Sequence, residues 1–318
     1  KATQTEILDE YSVYGEVAYD RTEKWDVSVG ARYFRYDDDL DVCTTFFPAP
    51  AVPKCDVGDD ISNDTLEKFR TTYKFTENHS VYFAVAEGYR RGGANLTPAN
   101  ITTNQFYDPD KATNYELGVH SFLLDQRLKL NAALFNIAWE DIQVRMAADG
   151  RTIWANAGEA RSQGVEFDAS LQLNSEFVLR TGYSYTDAKL TESVESIAIF
   201  DGDTLPGAPR NQWNIGLDYV QSFNTTVVDA SVGFNRIGEI YTAPNASFYS
   251  YQKLDSYTTA NARAGVTFGN WRLGAFVNNI ENTRGINGKR SGEWHGEQGQ
   301  FEYITRPRTI GLSVTYKY

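Results

Sequence analysis

Arg90 and Arg91, followed by Gly92-Gly93, open a long polar stretch, and Arg236, Arg284, Lys289 and Arg290 recur beside later ones. Cationic side chains at the mouth of a loop hold an anionic ligand through charge-assisted hydrogen bonds, and an arginine can supply two at once. Phe106, Tyr241, Tyr249 and Trp294 fall in the same stretches and could stack on an aromatic ligand. Singly, each is ordinary loop and rim chemistry. As a set they form a candidate ligand-binding group.

The only two cysteines, Cys43 and Cys55, lie in a stretch, 37–64, that holds eight aspartates and one lysine. No Cys-x-x-Cys or histidine-rich spacing accompanies them, so the pair reads as an oxidised loop staple rather than a metal site. The aspartates offer hard oxygen ligands that suit calcium; the alternative is a solvated acidic loop. His79, His120 and His295 are scattered. No Ser-His-Asp order, His-Glu-x-x-His or glycine-rich phosphate loop is present, so no catalytic residue and no cofactor is expected. A net charge of −12 argues against a nucleic-acid surface.

These residues need elements to hold them. Aromatics make up 14% of the 318 residues, with 20 Tyr, 18 Phe and one Met, a mix that favours strands. Mean hydropathy is −0.47 and apolar runs are short, as in 81–86. A membrane-spanning helix needs about 20 apolar residues in a row, so none is predicted. Spanning strands are only half apolar and escape that test. Trp25, Val27, Val29, Ala31 and Tyr33 alternate with Asp26, Ser28, Gly30, Arg32 and Phe34. Trp271, Leu273, Ala275 and Val277 do the same, as do Ile310, Leu312, Val314, Tyr316 and Tyr318 at the end of the chain. Period two over eight or more residues is the strand signature.

The spacing predicts about 13 strands: 5–19, 25–36, 65–76, 80–89, 113–124, 128–145, 152–174, 177–191, 211–221, 226–240, 257–268, 271–282 and 305–318. Short connections alternate with long ones near 37–64, 90–112, 192–210, 241–256 and 283–304, with a tighter one near 147–151. Short turns at one rim and long loops at the other are how transmembrane antiparallel β-barrels are built, and a soluble sandwich has no reason to sort its loops so. Trp25, Phe177, Trp213, Trp271, Tyr316 and Tyr318 are expected as an aromatic girdle beside the short turns. An odd strand count cannot close as a purely antiparallel barrel, so the chain, which begins at Lys1, is expected to be a processed or truncated part of a larger one.

Several segments resemble the C-terminal part of TonB-dependent outer-membrane receptors. Residues 10–19 (Glu-Tyr-Ser-Val-Tyr-Gly-Glu-Val-Ala-Tyr), followed by Val29-Gly30-Ala31-Arg32-Tyr33, are similar to a mid-barrel hairpin of that family. Residues 87–93 (Glu-Gly-Tyr-Arg-Arg-Gly-Gly) resemble a strand-to-loop segment. Residues 114–118 and 156–160 with 164–166 are similar to two further stretches of the family, and 205–210, 277–280 and 306–311 complete the match in order along the chain.

The resemblance implies an all-β, transmembrane antiparallel barrel across 1–318, roughly the last 13 of about 22 strands, without the family's plug domain. It implies a Gram-negative outer-membrane setting, in contact with lipid and lipopolysaccharide. It further implies uptake of a scarce ligand, foremost a ferric siderophore, driven by the TonB protein through an N-terminal part outside this sequence. The candidate cations and aromatics would then hold an anionic iron–siderophore complex. A passive porin-like channel, an outer-membrane enzyme and a soluble β-sandwich are the alternatives.

Overall fold

The computed structural model describes residues 2–44, 54–95, 106–148, 151–248, 251–294 and 297–318. Thirteen strands form one antiparallel sheet whose spatial order follows the chain. They are β1 (Ala2–Thr22), β2 (Trp25–Thr44), β3 (Lys54–Thr76), β4 (His79–Arg90), β5 (Asp110–Leu123), β6 (Leu128–Glu140) and β7 (Ala160–Gln172), then β8 (Phe177–Leu190), β9 (Asn211–Phe223), β10 (Thr226–Ile237), β11 (Tyr257–Phe268), β12 (Trp271–Asn278) and β13 (Thr309–Tyr316). β1 and β13 end that order, and among the described residues they are not paired with each other. No helix among the described residues is long and apolar enough to cross a membrane.

The expected count and antiparallel order match; several boundaries do not. The described parts of the acidic stretch, 37–44 and 54–64, are strand: β2 and β3 stay in register out to Thr44 and Lys54. Asp is a poor strand former, but here the ladder is extended by pairing on both sides of β2. β1, β2 and β3 run 21, 20 and 23 residues. A spanning strand needs only about 9–11, so these three project far past any bilayer at the loop end.

β6 stops at Glu140, not 145, because Asp141 adopts φ 52° and turns the chain. Gln143–Ala148 and Arg151–Asn156 form a separate hairpin, so β7 begins at Ala160 and 140–160 is a sixth long loop. β12 ends at Asn278 because Asn279 is left-handed (φ 53°). The buried Asn279 amide donates to Thr283 O at 2.8 Å and Arg306 O at 2.9 Å, closing the last loop at its base. That loop carries its own hairpin, Ile286–Trp294 with Glu297–Ile304.

Pairing sorts the side chains of the sheet onto two faces. Phe234, Val232, Ala230 and Val228 face Ala260, Ala262, Ala264 and Val266. Ala262, Ala264, Val266 and Phe268 face Val277, Ala275, Leu273 and Trp271, and these face Ile310, Leu312, Val314 and Tyr316. The intervening positions carry Asp229, Ser231, Arg263, Gly265, Arg272, Gly274 and Ser313. The apolar face stays uncovered: Leu312 is 84% and Ile310 74% exposed. Exposed apolar surface on this scale marks contact with a membrane or partner.

The polar face is knit by glycine–aromatic contacts. A Cβ on Gly118 would lie 2.4 Å from the Tyr82 ring on the neighbouring strand, so only glycine lets that ring lie flat on the wall. The short-turn rim carries Trp271 against Tyr316 (4.8 Å) and Phe177 against Tyr219 (4.9 Å). Trp213 is not among them. It is the third residue of β9, which enters from a long loop, so it stands at the opposite rim.

Burial is concentrated in two places: on β2, where Phe34 and Tyr36 are almost fully buried and Phe34 stacks on Tyr89 of β4 at 3.9 Å, and where strand ends meet the loops. Ile142, Ala157, Ala160, Leu190 and Ile199 form a buried cluster, with Trp139, Val144, Leu205 and Phe248 packed against it. A single-layer wall has little interior of its own, so this second cluster forms where the loops between β6 and β7, β8 and β9, and β10 and β11 fold over the polar face.

Candidate functional site

Arg90 ends β4 directly opposite Asp110, the first residue of β5. Asp110 is 2% exposed, a cost for a carboxylate unless it is paired. It accepts Arg90 Nε at 2.9 Å and a second bond from an Arg90 Nη, and also the Gln143 backbone N–H at 3.0 Å. Gln143, from the hairpin loop, donates its amide to Arg91 O at 2.9 Å and Asp108 O at 3.0 Å. Arg91 in turn reaches Asp38 on β2 at 2.9 Å. Asn95 and Trp154 exchange two hydrogen bonds of 2.7 Å. Two loops and the projecting β2–β3 hairpin are thereby tied into one assembly at the long-loop rim.

Beside this knot lies a recess of about 690 Å³ on the polar face. Ala112, Ile137, Trp139, Ser162 and Ala188 of the wall form its floor, and Leu205 to Ala208, Thr242 to Pro244 and Phe248 its roof. The Arg90 guanidinium rests 4.9 Å from the centre of the Trp139 ring at its edge. At the same rim Arg210 donates to Asp187 at 2.8 Å, and that bond raises its pKa above the ordinary arginine value.

Further down the polar face a second groove, about 530 Å³, follows one register row: His120, Asn131, Asp168, Gly182, Asn214 and Asn235 are successive partners across β5 to β10. His120 Nδ1 meets Asn131 at 2.8 Å, and Asn131 donates to Asp168 at 2.8 Å.

The candidate residues fall into groups. Arg90, Arg91 and Lys289 are ion-paired, Lys289 with Glu302 at 2.8 Å. Arg236 contacts Ser256 at 2.8 Å and Thr258 at 3.3 Å, and it shares the apolar-face alternation at the loop end of β10. Arg236 and exposed Arg284 have no carboxylate partner among the described residues. Tyr241 stacks on Tyr251 at 5.6 Å, next to the recess. Phe106 pairs by its backbone with Ala94, and Arg290 and Trp294 lie on the last loop's hairpin, their side chains outside what is described. Tyr249 and His295 lie outside the described residues. Among the described side chains of the set, only that of Arg90 borders the recess. Trp139, Gln143 and Phe248 also line it, and Asp110 holds Arg90 in place; Asp110 and Gln143 are 33 residues apart, and nothing local in the sequence links them.

Cys43 and Cys55 are direct partners in the β2–β3 register, and Cys43 is disulfide-bonded. Among the described residues no group of three or more His, Cys, Asp or Glu could hold a metal ion.

The model of the TonB dependent receptor-like β-barrel matches residues 2–280. The probable TonB-dependent siderophore receptor PiuA of Acinetobacter baumannii is 23% identical over 98% of this chain and 41% of its own length. The metal-pseudopaline receptor CntO of Pseudomonas aeruginosa is 27% identical over 93% of this chain and 39% of its own. The crystal structure of the ferric yersiniabactin uptake receptor FyuA from Yersinia pestis superposes with a TM-score of 0.82 at 18% identity, covering all of this chain and 47% of that one. The chain thus spans about two fifths of the length of these curated relatives, and the structural likeness establishes the fold. With the family model covering most of its length, the chain belongs to the TonB-dependent receptor-like β-barrel family.

Proposed function

We propose that this chain is part of the wall and mouth of a Gram-negative outer-membrane receptor that takes up a metal–chelator complex, foremost a ferric siderophore, with energy delivered through the TonB protein. The observation that carries the reading is the loop assembly: at one rim only, long loops fold over the polar face and enclose a recess edged by Arg90. The names of PiuA, CntO and FyuA as siderophore or metal-chelate receptors support the ligand class.

In this reading the apolar face meets lipid and the polar face lines a lumen. The loop rim lies outside the cell, beside lipopolysaccharide. The free edges of β1 and β13 pair with further strands of the whole protein, because an unpaired edge in hydrocarbon costs several kcal/mol per orphaned N–H or C=O. The test is uptake of radio-iron complexes by a receptor-deficient strain carrying the full-length receptor, with and without TonB. Uptake only when TonB is present supports the proposal. Equal uptake without TonB supports a passive channel instead.

A further inference from the structure

The recess under the loops has a chemistry of its own. At about 690 Å³ it falls within the size range of small-molecule sites. Ile137, Trp139, Ile142, Leu205, Pro244 and Phe248 make it mainly apolar, and Arg90 is the one charged residue among those that line it. That charge is already balanced. Asp110, almost fully buried, holds Nε and one Nη of Arg90, and the same Nη donates to Gln143 O at 3.2 Å. The other Nη has no partner among the described residues. Asp110 and Gln143 therefore hold the guanidinium in one pose against the Trp139 ring, with its other Nη free, and the Trp139 indole N–H is likewise buried without a partner among the described residues.

We propose that this recess is a subsite for a flat, uncharged aromatic or heteroaromatic ring bearing one acceptor oxygen. Arg90 reads the acceptor through its free Nη, and Asp110 and Gln143 are positioning residues that aim it. The recess takes the ring of a ligand and not a multiply charged metal core. Because its one cation is neutralised by Asp110, a second and third negative charge would be desolvated without a partner. The assignment of the ring to a transported chelate rests on the function proposed above; the binding of the ring does not.

The experiment is ligand-observed saturation-transfer NMR on the full-length receptor in detergent micelles. The probes are 2-hydroxybenzamide, toluene as an acceptor-free ring and benzene-1,3-disulfonate as a charged one. The neutral amide should bind, toluene more weakly, and the disulfonate not at all. Arg90→Lys should weaken the amide by about tenfold, because lysine cannot keep the fork to Asp110 and a free donor together. Asp110→Asn should weaken the amide to a similar extent and leave toluene unchanged, which a general collapse of the recess would not do. Ala243→Phe fills the roof and should abolish both, which keeps the proposal testable if the Asp110 variant fails to fold. Absence of amide binding, equal amide affinity in Arg90→Lys, or binding of the disulfonate as tight as the amide would each overturn the subsite. None of these outcomes bears on whether uptake needs TonB.

Discussion

Arg272 on β12 grips Asp229 on β10 across the whole width of β11, and the ion pair passes directly over Gly265. A Cβ at Gly265 would lie 2.7 Å from Arg272 Nη2 and 2.9 Å from Asp229 Oδ1. The glycine is what lets two residues on non-adjacent strands meet on the polar face.

Gly265→Val should break that pair. A partly exposed ion pair is itself worth about 0–1 kcal/mol, and overpacking adds roughly 1–3 kcal/mol. Gly216→Ala, whose Cβ would come no nearer than 3.7 Å to Val232 O, should be milder. Urea unfolding of the receptor in lipid vesicles compares them; equal midpoints for the two variants would show that the crossing has no energetic role.

Cys43 and Cys55 should be joined to each other. Closing so short a loop contributes roughly 3 kcal/mol at most in the chain-entropy model. Mass spectrometry of unreduced outer membranes should give a cross-linked peptide pair lighter by two hydrogens. Recovery of both cysteines as alkylated free thiols would refute it.

Ile199 lies in the buried loop cluster with Leu190. Ile199→Ala should cost about 2–5 kcal/mol locally and loosen the roof of the recess while the sheet stays intact. Limited proteolysis should speed up in 190–211 with heat-modifiable gel mobility unchanged. Unaltered cleavage would mean that the cluster does not hold the loops.

The strands were legible because a wall with lipid on one side and water on the other writes period two into every crossing, as in Leu273, Ala275 and Val277 against Val314, Leu312 and Ile310. Their ends were less so. Beyond a bilayer the apolar alternation has no reason to continue, so Asp37, Asp39 and Asp41 disguised the outer part of β2 as loop. Val144 and Met146 kept the alternation going past Asp141, although there it belongs to a second hairpin. Trp213 misled because a strand start looks alike at either rim; only the length of the preceding connection tells which rim it is. The arginines of the mouth could be picked out by type, but not their partners. Asp38 and Arg91 are 53 residues apart, and register alone brings them together.

One sheet divides lipid from water, and two neighbouring residues, Leu312 and Ser313, test that division. Leu312 continues the apolar row through Ala264 and Ala275, and Ser313 lies opposite Gly274 on the polar face. Folding free energies of the full-length receptor in lipid vesicles should fall by about 2–4 kcal/mol for Leu312→Arg near the bilayer middle and by little for Ser313→Arg, with Ala264→Arg following Leu312. Equal losses for Leu312→Arg and Ser313→Arg would contradict the claim.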